Sequence, residues 1–403
     1  MMRPRRRPSP LHPPALQIPA GLPAPPAGDA ERAGRLLALL RRRIRAAGGC
    51  LPFEDYMEAV LYSPGLGYYA CTDPFGEAGD FVTAPELTPL FARALAVQIA
   101  EIGRQLGAYE ILEAGGGRGS LAADLLNELE RLDCPPRRYH LLELSAGLRA
   151  RQAATLAERA PDHRGVVTWC ERLPHRLRGV VLANEVLDAM PVTRFRRAGG
   201  AVQALGVAWR GEGLAECAVP APDALARRVA ARLAGLALPE PYESELGLRA
   251  EAWVASLGEC LAAGALLIID YGFPRREFYH PQRDRGTLMC HYRHRAHGDP
   301  LALPGLQDIT AHLDFTALAE AGTAAGLQLL GYTHQAAFLL GCGLAEGLPS
   351  GAADPRGRLE AAAAVKRLTL PSEMGELFKV MVLGRGIQGP LRGFALVDRR
   401  GRL

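Results

Sequence analysis

The run Tyr109-Glu-Ile-Leu-Glu-Ala-Gly-Gly-Gly-Arg-Gly-Ser120 admits few folds. A short apolar segment ends at Glu113. Glycines follow at 115, 116, 117 and 119, and a helix-like stretch opens at Leu121. The order is strand, tight turn, helix. Glycine reaches backbone conformations, and allows a close ligand approach, that a Cβ would block. The next helix aims its free N–H groups at whatever lies over the turn. A nucleotide-like cofactor is expected there. Further apolar runs at 138–144, 165–170, 179–183 and 265–270 alternate with helical stretches at 119–132 and 146–159. Such runs predict a parallel sheet buried on both faces.

The spacing narrows the cofactor. A dinucleotide turn reads G-x-G-x-x-G. This chain has Glu113-x-Gly115-x-Gly117-x-Gly119, with a carboxylate two residues before the first glycine. A pyrophosphate is repelled by that anion. A sulfonium with an amino-acid tail is not, which points to S-adenosyl-L-methionine. The pattern resembles motif I of class I methyltransferases. The second strand, Tyr139-His-Leu-Leu-Glu-Leu144, brings Glu143 to where an acid accepts the ribose hydroxyls in these folds. The expected cofactor contacts are Glu113, Gly115, Gly116, Gly117, Gly119, Glu143, Leu144 and Asn184, with Asp80 as a lid residue. A nicotinamide-dependent oxidoreductase is disfavoured by the missing G-x-x-G spacing.

Charge and composition remove other classes. The formal net charge is +4, which gives no nucleic-acid footprint. The basic residues are nearly all arginine and are scattered, with lysine only at 366 and 379. Eight cysteines without a C-x-x-C are expected to be reduced thiols. His291, His294 and His297 have arginines between them and no supporting acid, so no metal is expected. No apolar run is long enough to span a bilayer. The start of the chain is basic and proline-rich. Its prolines would break the helix of a transit peptide, so residues 1–30 are expected to be a disordered tail.

The expected organisation is the tail at 1–30, a helical and loop cap at 31–105, and a cofactor-binding core at 106–190. An insertion follows at 191–255, then the rest of the core at 256–386 and a C-terminal tail at 387–403. Within the cap, helices are expected at 31–47, at 52–64 and from 88 to 102. The insertion starts as a hairpin over 195–209, continues as a helix over 222–238, and is expected to wall the acceptor side. The last part is expected to hold a helix at 314–326, helices across 336–367, and strands at 327–332 and 378–383.

In an open α/β sheet, ligands sit past the C-terminal strand ends. The glycine turn, Glu143, the segment after the fourth strand and Asp270-Tyr271-Gly272 should converge there. The fourth-strand segment carries Asn184, Glu185 and Asp188 before Pro191. Helix capping is the competing explanation for Asn184 and Asp188. Four stretches now stand together: Gly79-Asp-Phe-Val-Thr-Ala-Pro-Glu86, Leu112-Glu-Ala-Gly-Gly-Gly-Arg-Gly119, Ala183-Asn-Glu-Val-Leu-Asp-Ala-Met-Pro191 and Gln307-Asp-Ile-Thr-Ala-His-Leu-Asp-Phe315. Together they resemble the MidA-like family of class I S-adenosylmethionine-dependent methyltransferases, over about residues 51–386.

The resemblance implies a Rossmann-like, doubly wound seven-stranded α/β sheet, with an N-terminal helical extension and an inserted substrate-side subdomain. It implies symmetric dimethylation of a protein arginine, linked to respiratory complex I assembly. The implied partner is a protein substrate such as a complex I subunit, with a homodimer as a further candidate. The expected location is the bacterial cytoplasm, or the mitochondrial matrix in a eukaryote. Two departures are visible: Gly116 stands where proline is common, and Val186-Leu187 replace a typical pair of phenylalanines. On chemical grounds Glu185 is the expected clamp for an acceptor guanidinium, with Asp188 as second catalytic candidate and His312 as a channel candidate. Two alternatives stay open: a methyltransferase of small molecules, and a non-catalytic assembly factor on the same fold.

Overall fold

A computed structural model describes residues 16, 18–19, 21–72, 83–347 and 355–403. The chain enters through the helix Ala27–Ala46, which buries Leu36, Leu37, Leu40 and Ile44 and exposes Arg42, Arg43 and Arg45. It starts four residues before the expected boundary at 31. Leu16 and Leu22, from the expected tail, pack against buried residues of the fold. Strand β1 (Leu51–Pro52) leads into the helix Phe53–Tyr62. The helix Pro89–Leu106 then buries Leu90, Phe91, Leu95 and Ile99 in the main core.

The central sheet begins with β2 (Glu110–Ala114), β3 (Arg138–Leu142), β4 (Val167–Cys170) and β5 (Leu177–Asn184), all parallel. The helices Ser120–Arg131 and Ala146–Arg159 connect them. The chain then leaves the sheet through β6 (Thr193–Ala198), β7 (Ala201–Arg210), β8 (Gly213–Pro220), the helix Asp223–Leu233 and β9 (Tyr242–Leu246). It returns through the helix Leu248–Cys260 into β10 (Leu261–Phe273), parallel to β5. A three-stranded sheet of β11 (Met289–Tyr292), β12 (Arg295–His297) and β13 (Asp308–Thr310) follows. The short β14 (Leu313–Asp314) pairs with the end of β10. The helix Phe315–Ala324, β15 (Gln328–His334) and β16 (Phe378–Arg385) complete the order β4-β3-β2-β5-β10-β16-β15. Strand β16 is antiparallel to both neighbours. This is the expected doubly wound sheet with an antiparallel edge. Strand order reverses between β2 and β5, which opens a crevice at their C-terminal ends.

The excursion after β5 is larger than expected. It adds β8 and β9 to the hairpin, and β7 pairs with β1, so cap and insertion share one sheet. Strand β9 escaped the sequence reading because Ser244 and Glu245 are polar yet buried, which destroys the alternation that marks a strand. The sheet of β11 to β13 was also unforeseen, and its strands are only three or four residues long. The expected helical region at 336–367 holds the helices Gln335–Gly341 and Pro355–Thr369.

The expectation of eight reduced cysteines is corrected. Cys50 and Cys217 form a disulfide across 167 residues. Pairing of β1 with β7 and of β7 with β8 brings them together, since Gly206 faces both Pro52 and Cys217. Sequence spacing carries no trace of that proximity.

Candidate active site

The glycine turn has the conformation its sequence requires. Gly115, Gly117 and Gly119 have φ of +63°, +50° and +87°, in the left-handed region. A Cβ on Gly115 would also lie 2.9 Å from Val186 Cγ2. The turn delivers the chain to the N-terminus of the helix Ser120–Arg131. Gln152, fully buried, braces the turn from the next helix. Its Nε2 donates to the Gly117 carbonyl at 3.0 Å and to Glu143 at 3.3 Å, while Trp169 Nε1 donates to its oxygen at 2.9 Å. Gln152 was not foreseen. Its signal was a polar residue one turn before Leu156 on the only buried stripe of its helix.

Glu113 lies beneath the turn. It is 3% exposed and accepts a 2.6 Å hydrogen bond from Tyr139, and burial pushes its pKa up to about 7. Its carboxyl lies close under Gly116, where a Cβ would come within 3.5 Å of the carboxyl carbon. Glu143 stands at the crevice edge. One oxygen accepts from the Ser145 N–H at 2.8 Å, and burial raises its pKa. Leu144 beside it is 73% exposed, an apolar side chain facing outward next to an acid. The segment Thr83-Ala-Pro-Glu86 folds against the turn, with Glu86 accepting from the Ser120 hydroxyl at 2.9 Å. Asp80, the expected lid residue, lies outside the described residues.

Across the crevice, the segment after β5 is a turn rather than a helix, so capping does not explain Asn184 or Asp188. Glu185 has φ of +54°, uncommon for a residue with a side chain and found where local strain serves a site. The Asn184 amide donates to Glu185 at 3.1 Å, and the Asn184 oxygen is buried without a partner. Asp270, fully buried at the end of β10, accepts from the N–H groups of Leu187 at 3.0 Å, Asp188 at 3.3 Å and Tyr271 at 2.8 Å. It fixes the turn that presents Glu185 and Asp188.

Asp188 and Asp270 are buried and Glu185 is half-buried beside them, and among the described residues none of the three forms an ion pair. Desolvation first, and then mutual repulsion, pushes Glu185 up to about 8 and raises Asp188. Asp270 rises to about 7, chiefly by desolvation. Asp308 on β13 adds a fourth carboxylate, itself buried, which accepts from Tyr69 at 2.9 Å. Tyr62 and Tyr69 stack at 5.5 Å, and Tyr62 donates to the Ala189 carbonyl at 2.8 Å. Burial raises both phenols. Arg249, the cation that most affects Tyr62, is held by Glu54 and Glu58 at 2.6 Å each. Tyr271 and His312 stack at 6.0 Å on the other side. Desolvation, aided by Arg283 and Lys379, lowers His312 to about 4, so its ring is neutral. Tyr62, Tyr69 and Asp308 were not assigned to the site from the sequence, because Asp308 lies 239 residues from Tyr69 along the chain. His291, His294 and His297 lie on and between β11 and β12, and His291 stands opposite Asp308 where β11 pairs with β13.

Such a crevice has two chemistries. One half presents backbone N–H groups, an exposed apolar side chain and an acid at a glycine turn. The Asn184 oxygen, buried without a hydrogen-bond partner among the described residues, and the left-handed glycines of the turn fit the amino-acid tail and close approach of a nucleoside sulfonium. The other half concentrates carboxylates and phenols.

Residues 90–333 match the model of a protein family described as "Putative S-adenosyl-L-methionine-dependent methyltransferase". A Drosophila melanogaster relative, named as a mitochondrial homologue of protein arginine methyltransferase NDUFAF7, is 31% identical over 88% of this chain and 86% of its own. The Mus musculus protein arginine methyltransferase NDUFAF7, also named mitochondrial, is 31% identical over 86% of this chain and 84% of its own. A Burkholderia thailandensis protein solved with S-adenosyl-homocysteine bound is 46% identical, with a TM-score of 0.92, covering 95% of this chain and 100% of that one. Among the described residues, no helix is long and apolar enough to cross a membrane.

Proposed function

The chain belongs to this family of S-adenosyl-L-methionine-dependent methyltransferases, and from that premise we propose that it methylates arginine side chains of a protein. The observation that carries the reading is the trio Glu185, Asp188 and Asp270, which share one turn and form no ion pair among the described residues. Buried charges are normally paired or neutralised. A guanidinium entering between Glu185 and Asp188 supplies the missing partner, and carboxylates grip that planar cation in a two-pronged way. The stacked rings of Tyr62 and Tyr69 suit a flat, weakly hydrated cation.

S-adenosyl-L-methionine, when bound, supplies a methyl group on a positively charged sulphur. Glu143 is assigned to its ribose, Asn184 to its ammonium group, and Gly115, Gly116, Gly117, Gly119 and Leu144 to close contact. Glu113 supports the turn. Glu185 orients one acceptor nitrogen and takes up the proton it sheds, with Asp188 as its neighbour in charge. Alignment is the main requirement of an in-line displacement. Residues 191–255 form the acceptor-side wall. Symmetric dimethylation, a complex I subunit as acceptor and a bacterial cytoplasmic setting belong to the same proposal. The relatives' names support an arginine acceptor and, being names of mitochondrial proteins, the mitochondrial matrix as the alternative setting, while the finer points rest on the motifs shared with the MidA-like family.

The test is transfer of tritium from labelled S-adenosyl-L-methionine to an extract of cells lacking the gene. Label is expected in methylarginine of protein. Label confined to small metabolites would favour a small-molecule acceptor, and no label at all would favour a docking role.

A further inference from the structure

The acceptor wall is held from behind by a carboxylate that the chemistry above does not use. Glu245, on β9 of the insertion, is 1% exposed. Its Oε1 accepts from Thr287 twice, from the backbone N–H at 2.7 Å and from the hydroxyl at 2.5 Å. The Thr287 oxygen in turn accepts from the backbone N–H of His312 at 3.0 Å. The His312 ring lies parallel to Tyr271, within 9°, and Phe273 flanks it at 5.2 Å. Tyr271 is within electrostatic reach of Glu185, Asp188 and Asp270. A chain of neighbours therefore runs from the insertion through Thr287 and His312 to Tyr271, on which Phe378 also packs at 3.9 Å. The same segment is tied on its other side, where the Ala311 N–H donates to the Asp188 carbonyl at 2.9 Å.

Burying a carboxylate costs on the order of several kcal/mol. An apolar residue on β9 would fill the space without that cost. The second Glu245 oxygen is buried with no partner, and a Cβ on Gly286 would come within 2.2 Å of it. Arg194, the cation that most affects Glu245, is committed to Glu216 at 2.7 Å and Glu243 at 3.4 Å. The fold thus carries a costly group and keeps a neighbouring position clear for it. What the group secures is a fixed backbone at His312, as sites built on a rigid supporting shell require.

We infer that Glu245 and Thr287 are positioning residues: they fix the His312 segment, whose ring holds Tyr271 in the orientation that seats a guanidinium against Glu185 and Asp188. The inference rests on the arginine reading above. Its test uses the full chain saturated with S-adenosyl-homocysteine and titrated with ethylguanidinium in a calorimeter. Thr287→Val is expected to weaken ethylguanidinium binding about tenfold, the scale of one hydrogen-bonded contact near a charge. Thr287→Ser restores it, Glu245→Gln weakens it less, and affinity for S-adenosyl-homocysteine stays that of the wild type in all three. Wild-type binding of ethylguanidinium by Thr287→Val overturns the inference. So does equal loss of both ligands, which marks a structural role only. If Glu185→Gln weakens the probe while Thr287→Val does not, the positioning role alone has failed. If the wild type does not bind the probe, or Glu185→Gln binds it unchanged, the arginine reading has failed and the inference with it.

Discussion

The two halves of the crevice are built in opposite ways. The cofactor half comes mostly from one continuous stretch, residues 110 to 152, in which strand, turn, helix and strand each position the next, with Asn184 added from the end of β5. The acceptor half draws Tyr62, Tyr69, Glu185, Asp188, Tyr271, Asp308 and His312 from five separate segments. The first half is rigid through backbone conformation and satisfied hydrogen bonds. The second is electrostatically unfinished, with Glu185, Asp188 and Asp270 raised toward neutrality and in no ion pair among the described residues. The contrast separates what recognises a common cofactor from what chooses the acceptor.

The strongest way to break the cofactor half is Gly117→Val. A β-branched side chain at φ +50° adds strain on the order of 1–3 kcal/mol and fills space the ligand needs. Binding of S-adenosyl-homocysteine should be lost in calorimetry, and retained binding would end the glycine-turn assignment. Next in size is Glu185→Gln, which should lower transfer about a hundredfold, within the usual range for a group handling a proton. Affinity for S-adenosyl-homocysteine should be unchanged, which separates the halves by experiment.

The third effect is on pH. Glu185 is raised from 4.5 in the unfolded chain to about 8 in the fold. Its contribution to stability is therefore complete below 4.5 and is lost as pH rises through 8. Thermal melts of the wild type should fall relative to Glu185→Gln across that window. A bound guanidinium reverses the preference by favouring the ionised acid, so ethylguanidinium should bind more tightly as pH rises toward 8. A flat difference between the two proteins would remove Glu185 from the buried cluster. The smallest effect is Gln152→Ala, which removes a brace shared by the Gly117 carbonyl and Glu143. It should weaken S-adenosyl-homocysteine severalfold, about 1 kcal/mol for hydrogen bonds of this kind, without changing acceptor preference.

The same contrast explains what could be read from the chain. Glycines 115, 117 and 119 encode their own backbone geometry, so the turn and its flanking elements were visible, and the helix Ala146–Arg159 was located to the residue. Glu185 and Asp188 were visible because they end an apolar strand. Tyr69 and Asp308 meet only through tertiary folding, and nothing local in either segment announces it. Strand β9 was hidden because two of its buried residues, Ser244 and Glu245, are polar. Cys50 and Cys217 were hidden because β1 finds its partner across the insertion. Buried polar groups and long-range pairings are what period and spacing leave out.

The central claim is that one crevice joins a nucleoside sulfonium to an arginine. It is tested most directly by quantitative mass spectrometry of methylarginine in cells lacking this gene, complemented with the wild type or with Glu185→Gln. The expected result is a dimethylarginine mark that disappears on deletion, returns with the wild type and stays absent with Glu185→Gln. An unchanged set of methylated arginines after deletion, or full restoration by Glu185→Gln, would contradict it.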